Sequence, residues 1–265
     1  MASLTVSEIW IYPIKSLGGI RLPSAKVLEK GLEHDRRWML IDENNTFMTQ
    51  RIFPSMALFK LLIAKNQFII THQTNSIDLP IDYAVDQNPI QTKVWDDDVI
   101  TFEVSEAHST WFSNQLKMKC KLVSFPEKNL RPVEANYKIN DEQVSLADAY
   151  PFLIIGETSL ADLNKKLAVP LPMNRFRPNI VFSGGQPYEE DDWKTFTVGK
   201  NKFIGVKHCS LCVMITINHD TAEKSAEPLR TLSTYRKKEN KVYFGQNLLA
   251  LAHFEINVGD KITLL

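Results

Sequence analysis

Lys207-His208-Cys209-Ser210-Leu211-Cys212, followed by Val213-Met214-Ile215-Thr216-Ile217, holds two of the chain's three cysteines, with two residues between them. The run after Cys212 is apolar and rich in β-branched residues, which predicts a buried strand. On that reading Cys212 stands at the mouth of a strand, its sulfur held rigidly yet able to face a cleft. A thiolate is a strong nucleophile and a soft metal ligand. A redox dithiol would use Cys209 and Cys212 as nucleophile and resolver, but that motif normally opens a helix, and the residues that follow here read as strand. A zinc site could enlist His208, Cys209, Cys212 and His219. Structural zinc sites usually show two well-spaced pairs, and a core of this size needs no metal staple. Inert cysteines packed on a core strand and a single functional thiolate complete the alternatives. Spacing alone leaves all four open.

The rest of the chain sets the frame. Its 265 residues suffice for one large domain or two small ones. Hydrophobic content of 44% and charged content of 23% are ordinary for a globular protein. Thirty-one basic residues balance thirty-one acidic ones, so no bulk field favours nucleic acid or an anionic membrane. An odd count of three cysteines argues for a reducing compartment and against a disulfide framework. No apolar run approaches the roughly 20 residues of a membrane span. The start, Met1-Ala2-Ser3-Leu4-Thr5, lacks a signal-peptide layout. The expectation is a cytoplasmic protein without a membrane anchor.

Short β-rich runs dominate. Strands are predicted at Val6–Tyr12, Ala25–Leu28 and Trp38–Ile41, with a hairpin return at Thr46–Thr49 after the turn Asp42-Glu43-Asn44-Asn45. Two more flank Ala64-Lys65-Asn66-Gln67, and Asp96-Asp97-Asp98 reads as a solvated hairpin turn. A helix starts near Ser105, with Ala107, Trp111, Phe112 and Leu116 on one face. Residues 126–145 are polar, contain Pro126 and Pro132, and read as a linker or inserted loop. Beyond them come a strand near Phe152–Ile155, a helix capped by Thr158 or Ser159, and a strand at Arg177–Phe182. A hairpin follows around Gly199-Lys200-Asn201, then a short helix opened by Pro228 and final strands at Leu248–Ala252 and Asp260–Leu265. The expected class is α+β and β-rich, barrel-like, with a few short helices. The polar stretch divides it into 1–125 and 126–265. The regular alternation of a Rossmann fold is absent, as are its glycine fingerprint and a P-loop.

Lys15, Arg36, Arg51, Arg175 and Arg177 sit at strand ends or in loops, where each singly reads as a solvated surface charge. Arg177 is the most suggestive, because it precedes Pro178-Asn179 and offers a planar fork suited to phosphate or a heterocycle. Asn179 adds a donor and an acceptor, and Asp148 could be a turn carboxylate or an acceptor for a ring N–H. His34, His108, His219 and His253 have no neighbours in sequence that single them out.

Six stretches occur in order: Ile11-Tyr12-Pro13-Ile14-Lys15-Ser16, Asp35-Arg36-Arg37-Trp38, Thr49-Gln50-Arg51, Phe176-Arg177-Pro178-Asn179-Ile180-Val181, Cys209-Ser210-Leu211-Cys212 and Phe244-Gly245-Gln246. Together they resemble the MOSC proteins with an N-terminal MOSC β-barrel domain, and in particular the amidoxime-reducing components and their bacterial counterparts. The resemblance implies a MOSC β-barrel at 126–265 and a smaller N-terminal β-barrel domain at 1–125. It implies a molybdenum-cofactor (Mo-molybdopterin) oxidoreductase that reduces amidoximes, hydroxylamines and N-hydroxylated bases. The catalytic metal ligand would be Cys212. The pterin and its phosphate would fall on Lys15, Ser16, Arg36, Asp148, Arg177, Asn179 and Ser210. Electrons would come from a separate partner, such as a ferredoxin, a cytochrome b5-like protein or a flavin reductase, since the chain lacks the cysteines of an iron–sulfur domain. Leu211 stands where the family usually carries Arg. The alternative that the resemblance implies is a non-catalytic carrier of molybdenum cofactor, or of sulfur on Cys212, as in cofactor sulfurases. Against it, the chain has no pyridoxal-dependent desulfurase domain, so pyridoxal phosphate is not expected to bind.

Overall fold

A computed structural model describes residues 3–82 and 88–265. Met1 and Ala2, part of the stretch read above for a leader, lie outside the described residues.

Period-two burial drives most of the first half. The first strand, β1 (Thr5–Ile11), is followed by β2 (Ile20–Leu22), β3 (Ser24–Leu28), β4 (Gly31–Leu32) and β5 (Trp38–Ile41). A meander, β6 (Lys60–Ala64), β7 (Gln67–His72) and β8 (Asn75–Pro80), forms its own antiparallel sheet. In β7 the alternate residues Phe68, Ile70 and His72 turn inward, the pattern of a strand with one buried face. The polar sequence of β8 hid it from the periodicity reading. The hairpin β9 (Pro89–Val94) and β10 (Asp97–Glu103) closes over Trp95-Asp96 and joins β11 (Lys121–Ser124) and β5 in a second sheet. Between β10 and β11 runs α1 (Glu106–Leu116), whose cap is Ser105: its Oγ accepts from the His108 amide at 3.2 Å. Phe112 and Ser109 are its buried residues, whereas Ala107 faces solvent, a correction to the predicted apolar face.

The second half adds β12 (Phe152–Gly156), β13 (Ile180–Ser183), β14 (Thr195–Val198), β15 (Asn201–Ser210), β16 (Lys237–Lys238), β17 (Lys241–Ala250), β18 (Glu255–Asn257) and β19 (Ile262–Leu264). The large sheet runs β19-β14-β15-β17-β12-β13-β1-β2, with β16 on β17. It therefore draws strands from both sides of the 125/126 line, and β3 pairs with β18 as well. The one parallel pair in it, β12 and β13, is bridged by α2 (Glu157–Asn164). Neither Thr158 nor Ser159 caps α2: Gly156 holds the cap position without a side-chain bond, and the buried Ser159 hydroxyl donates to Glu190. The third helix, α3 (Leu229–Ser233), follows Pro228. Phe152, Phe182, Phe196 and Phe203 are fully buried on this sheet, each worth about 1.5–3 kcal/mol against exposure. Residues 126–145 are no free linker. Arg131 is buried and donates to the Ser145 and Ala147 carbonyls, and Val133 and Val144 pack with Tyr150 and Leu249.

The predicted strand after Cys212 is absent. β15 pairs with β17 as far as Ser210↔Tyr243, and the Leu211 amide still reaches the Val242 carbonyl. β17 begins at Lys241, so the chain has no further partner there. Val213–Thr216 coils into a 3₁₀ turn instead, with the Thr216 hydroxyl donating to the Val213 carbonyl at 2.7 Å. The thiol thus stands past the end of one strand, not before the start of another.

Candidate functional site

The end of β15 faces three loops of the N-terminal half across a cleft of about 240 Å³. Lys15, Ser16, Arg36, Asp148, Arg177, Asn179, Ser210 and Cys212, all the site residues named from sequence, line it. Lys15 and Cys212, 197 positions apart in the chain, meet there, because β1 and β13 are antiparallel neighbours and the loop after β1 lies beside the loop before β13. Three line residues adopt left-handed backbone: Ser16 (φ 65°), Arg36 (φ 51°) and Arg177 (φ 58°). Non-glycine residues rarely sit there, and such strain concentrates at functional sites.

Tyr12 organises the cationic wall. Its ring lies between two guanidinium groups, Arg36 at 4.5 Å and Arg177 at 4.1 Å. Its amide is held by Asp35 Oδ1 at 2.7 Å, and Asp35 also pairs with Arg36 at 2.6 Å. Arg36 further donates to the Arg177 carbonyl and to Asn179 Oδ1. Arg177 donates to the Leu17 carbonyl at 2.6 Å. Burial, with Arg36 adding repulsion, pulls the Arg177 guanidinium down to about 10. Asn179 is a hub: its amide N–H meets the Leu153 carbonyl, its Oδ1 accepts from the Leu153 amide, and its Nδ2 donates to the Trp10 carbonyl. Lys15, Arg175 and Arg177 are each less than a tenth exposed, so the reading of them as solvated surface charges is corrected.

The opposite wall is an ion network ending on sulfur. Lys15 Nζ donates to Asp148 Oδ1 at 2.6 Å and to the Leu146 carbonyl at 2.7 Å. Arg51 Nη2 donates to Asp148 Oδ2 at 2.7 Å, and its Nε donates to Cys212 Sγ at 3.2 Å. The Arg51 guanidinium stacks 4.6 Å over Trp95, whose Nε1 donates to Asp148 Oδ1. Asp148 thus accepts from three donors of the chain itself, Lys15, Arg51 and the Trp95 indole. Burial would push the Asp148 carboxyl up, but Lys15 and Arg51 outweigh it and hold it well below the usual carboxylate range. Burial brings Lys15 down to about 8 against the opposing pull of Asp148. Cys209 also lines the cleft, yet burial, with Cys212 and Asp148 adding to it, pushes its thiol up to about 12.

Sequence reasoning left Arg51 outside the site, although Thr49-Gln50-Arg51 was among the family-like stretches. Its contact with Cys212 spans 161 positions, and no local pattern encodes it. Gln50 holds that loop in place by donating to the Ser16 carbonyl at 2.7 Å. The zinc alternative gains nothing. His208 Nε2 lies 3.0 Å from the Asp191 carbonyl, and no cluster of three metal-ligating side chains occurs among the described residues. One soft thiol in a cationic cleft suits a metal that arrives with its other ligands already attached. It suits equally an anionic organic group that carries them.

Comparison with known proteins agrees. Residues 3–119 match the MOSC N-terminal beta barrel domain and residues 141–263 the MOSC domain. The chain is 34% identical to the mitochondrial amidoxime-reducing component 1 of Mus musculus, over 98% of this chain and 82% of that protein. With its Homo sapiens counterpart the identity is 33%, over 98% and 83%. It is also 30% identical to the molybdenum cofactor sulfurase of Arabidopsis thaliana, over 95% of this chain but 33% of that longer protein. Among the described residues no helix is long and apolar enough to cross a membrane. The chain belongs to the MOSC family, with an N-terminal MOSC beta barrel domain ahead of the MOSC domain.

Proposed function

We propose that the protein is a molybdenum-cofactor-dependent reductase of N-hydroxylated compounds, amidoximes and hydroxylamines among them, fed with electrons by a separate redox partner. The observation that carries this reading is the Cys212 sulfur, held by Arg51, facing a cleft whose other wall is built from cations. Cys212 would ligate the metal. Lys15, Arg36 and Arg177, with Ser16, Asn179 and Ser210, would hold the pterin and its phosphate, for which charge-assisted donors are the suitable receptors. When bound, the cofactor supplies the two-electron couple that removes oxygen from nitrogen. The chain's own part is positional. Arg51 fixes the Cys212 sulfur and, through Asp148, ties it to Lys15. Two of the left-handed loop residues are held by backbone bonds, the Arg36 amide to the Tyr12 carbonyl and the Arg177 amide to the Asn174 carbonyl, and the apolar shelf of Leu211, Met214 and Ile215 leaves room for an uncharged substrate.

A second reading is favoured by the match to a cofactor sulfurase: a carrier that holds the cofactor, or sulfur on Cys212, for delivery. One experiment separates the two. The protein is purified from a cofactor-competent host, its molybdenum and zinc are measured, and benzamidoxime turnover is followed with an artificial electron donor. Molybdenum at one per chain with multiple turnovers supports the reductase; molybdenum or sulfur transferred stoichiometrically without turnover supports the carrier. No molybdenum, with Cys212→Ala behaving as wild type, overturns both.

A further inference from the structure

Behind Arg177, away from the cysteines, lies a second cavity of about 140 Å³. Its polar lining is Tyr12, Gln50, Asn174, His219, Lys60 and Arg177. Four of these carry a buried polar atom with no hydrogen-bond partner: Tyr12 Oη, Gln50 Oε1, Asn174 Oδ1 and His219 Nε2. Tyr12 and Gln50 are each 1% exposed. Unpartnered buried polar atoms are few in native proteins, and four gathered on one cavity imply a common partner.

Its chemistry can be read from the walls. Among the described residues no carboxylate lines the cavity, and Arg177 has no carboxylate within ion-pair distance. Lys60 Nζ is anchored to the His219 carbonyl and to Asp220, and retains one further N–H. Burial, with Arg177, Arg175 and Lys60 adding to it, pushes His219 down to about 3, so its imidazole is neutral. Burial also raises the Tyr12 phenol, which keeps its O–H. These groups favour an anion. The Gln50 amide, by contrast, is oriented by its N–H donation to the Ser16 carbonyl, so its oxygen is an acceptor that asks for a donor. The cavity has room for several water molecules, but water leaves the Arg177 charge without a counterion.

We propose that this second cavity binds a small inorganic oxyanion that keeps one proton, with hydrogen phosphate as its type. The cations and the phenol meet the charged oxygens, and the Gln50 oxygen accepts the one remaining O–H. Sulfate has the same shape and charge sign but carries no proton at neutral pH, and is rejected because that carbonyl stays unpaired. This site shares only Arg177 with the Cys212 cleft.

Calorimetric titration of the full chain, as purified, with inorganic phosphate and separately with sulfate tests it. Phosphate is expected to saturate one site, with sulfate at least about tenfold weaker. Tyr12→Phe keeps the ring between the arginines and removes the hydroxyl; about a tenfold loss of phosphate affinity is expected. Gln50→Met is the second variant, expected to erode the phosphate preference over sulfate. Lys15→Met, confined to the first cleft, should leave phosphate binding unchanged. Three outcomes overturn the proposal: no saturable phosphate binding, equal binding of sulfate, or binding abolished by Lys15→Met and kept by Tyr12→Phe, which would place the anion in the first cleft.

Discussion

Cys209 and Cys212 are three residues apart, are both half-buried and line the same cleft, yet their surroundings differ in kind. Cys209 belongs to β15, packs against the cluster of Leu153, Ile155, Phe176 and Phe244, and is pushed by burial to about 12. Cys212 lies past the end of the ladder, in extended backbone, and receives an N–H from a guanidinium. A thiol among apolar side chains stays protonated and inert; a sulfur beside a cation is available as a ligand. The difference comes from where β17 stops offering a partner, not from the cysteines themselves.

The comparison breaks most visibly by deletion. Cys212→Ala should abolish molybdenum loading and benzamidoxime reduction, while Cys209→Ser keeps both near wild type; metal analysis and turnover on the two variants decide it. Iodoacetamide labelling read by peptide mass spectrometry should modify Cys212 well before Cys209. Equal labelling would mean that the strand position does not protect Cys209. Next in size is Arg51→Leu, which removes the sulfur's hydrogen bond and one of two cations on Asp148. Groups that orient a metal ligand are typically worth about 10–100-fold in activity or metal affinity. That range is expected here for turnover, with a slowed or less selective alkylation of Cys212 as the readout independent of the cofactor. Arg51→Lys should recover only part, because one ammonium cannot reach both the sulfur and the carboxylate in a fork.

The same contrast shows what the chain makes legible. The β-rich class, the hairpin after Val94 and the helix start near Ser105 rest on local signals, period-two burial and capping chemistry, and these survive folding, although the turn falls on Trp95-Asp96 and Asp97 and Asp98 join β10 rather than the turn. Val213–Ile217 carries the composition of a strand as well, but a strand needs a neighbour, and whether β17 extends that far is not written in the residues that would pair with it. Arg51 failed to stand out for a related reason. Its importance lies in two partners, 97 and 161 positions away, whereas its own sequence neighbourhood looks like any polar loop. Tyr12 went unremarked too. An aromatic at the end of a strand reads as core, and only the fold slides two arginines over its faces.

A smaller effect follows from Lys15, which faces Asp148, Arg51, Arg131, the Leu146 carbonyl and the Phe47 ring. Its folded value of about 8 lies below the ordinary 10.5, so it loses its charge within reach of mild alkali. Two opposite slopes are expected. Above about pH 8 the affinity for a phosphate-bearing ligand falls, approaching tenfold per pH unit for one linked proton. Between about 8 and 10.5 the unfolded chain binds more protons than the folded one at this site, so this residue's contribution to stability rises with pH. Cofactor retention and urea unfolding across pH 7–10 (a working window of about three units) measure both. Lys15→Met should flatten the two together. If retention stays level while the unfolding slope remains, Lys15 does not touch the anion, and the charged wall reduces to the two arginines on Tyr12.

The smallest effect is expected at Leu211, where the resemblance to the family sets an arginine. Leu211 is half-buried, lines the cleft and packs against the cluster that holds Cys209. Restoring the charge with Leu211→Arg places a second guanidinium near a sulfur that already accepts from Arg51. The Asp148 carboxylate is already shared by Lys15, Arg51 and Trp95, so it has little left to offer the newcomer. The added cation therefore turns toward the open cleft. Molybdenum content should stay unchanged and KM should shift by less than about tenfold, downward for anionic N-hydroxylated substrates and upward for neutral ones. Made in the Arg51→Leu background, the same substitution becomes the sharper measurement. If Arg at 211 then restores turnover, the two positions are alternative sources of one cation for one sulfur. If it restores nothing, Arg51 acts through Asp148 and Lys15, and the sulfur contact is secondary to the carboxylate it shares.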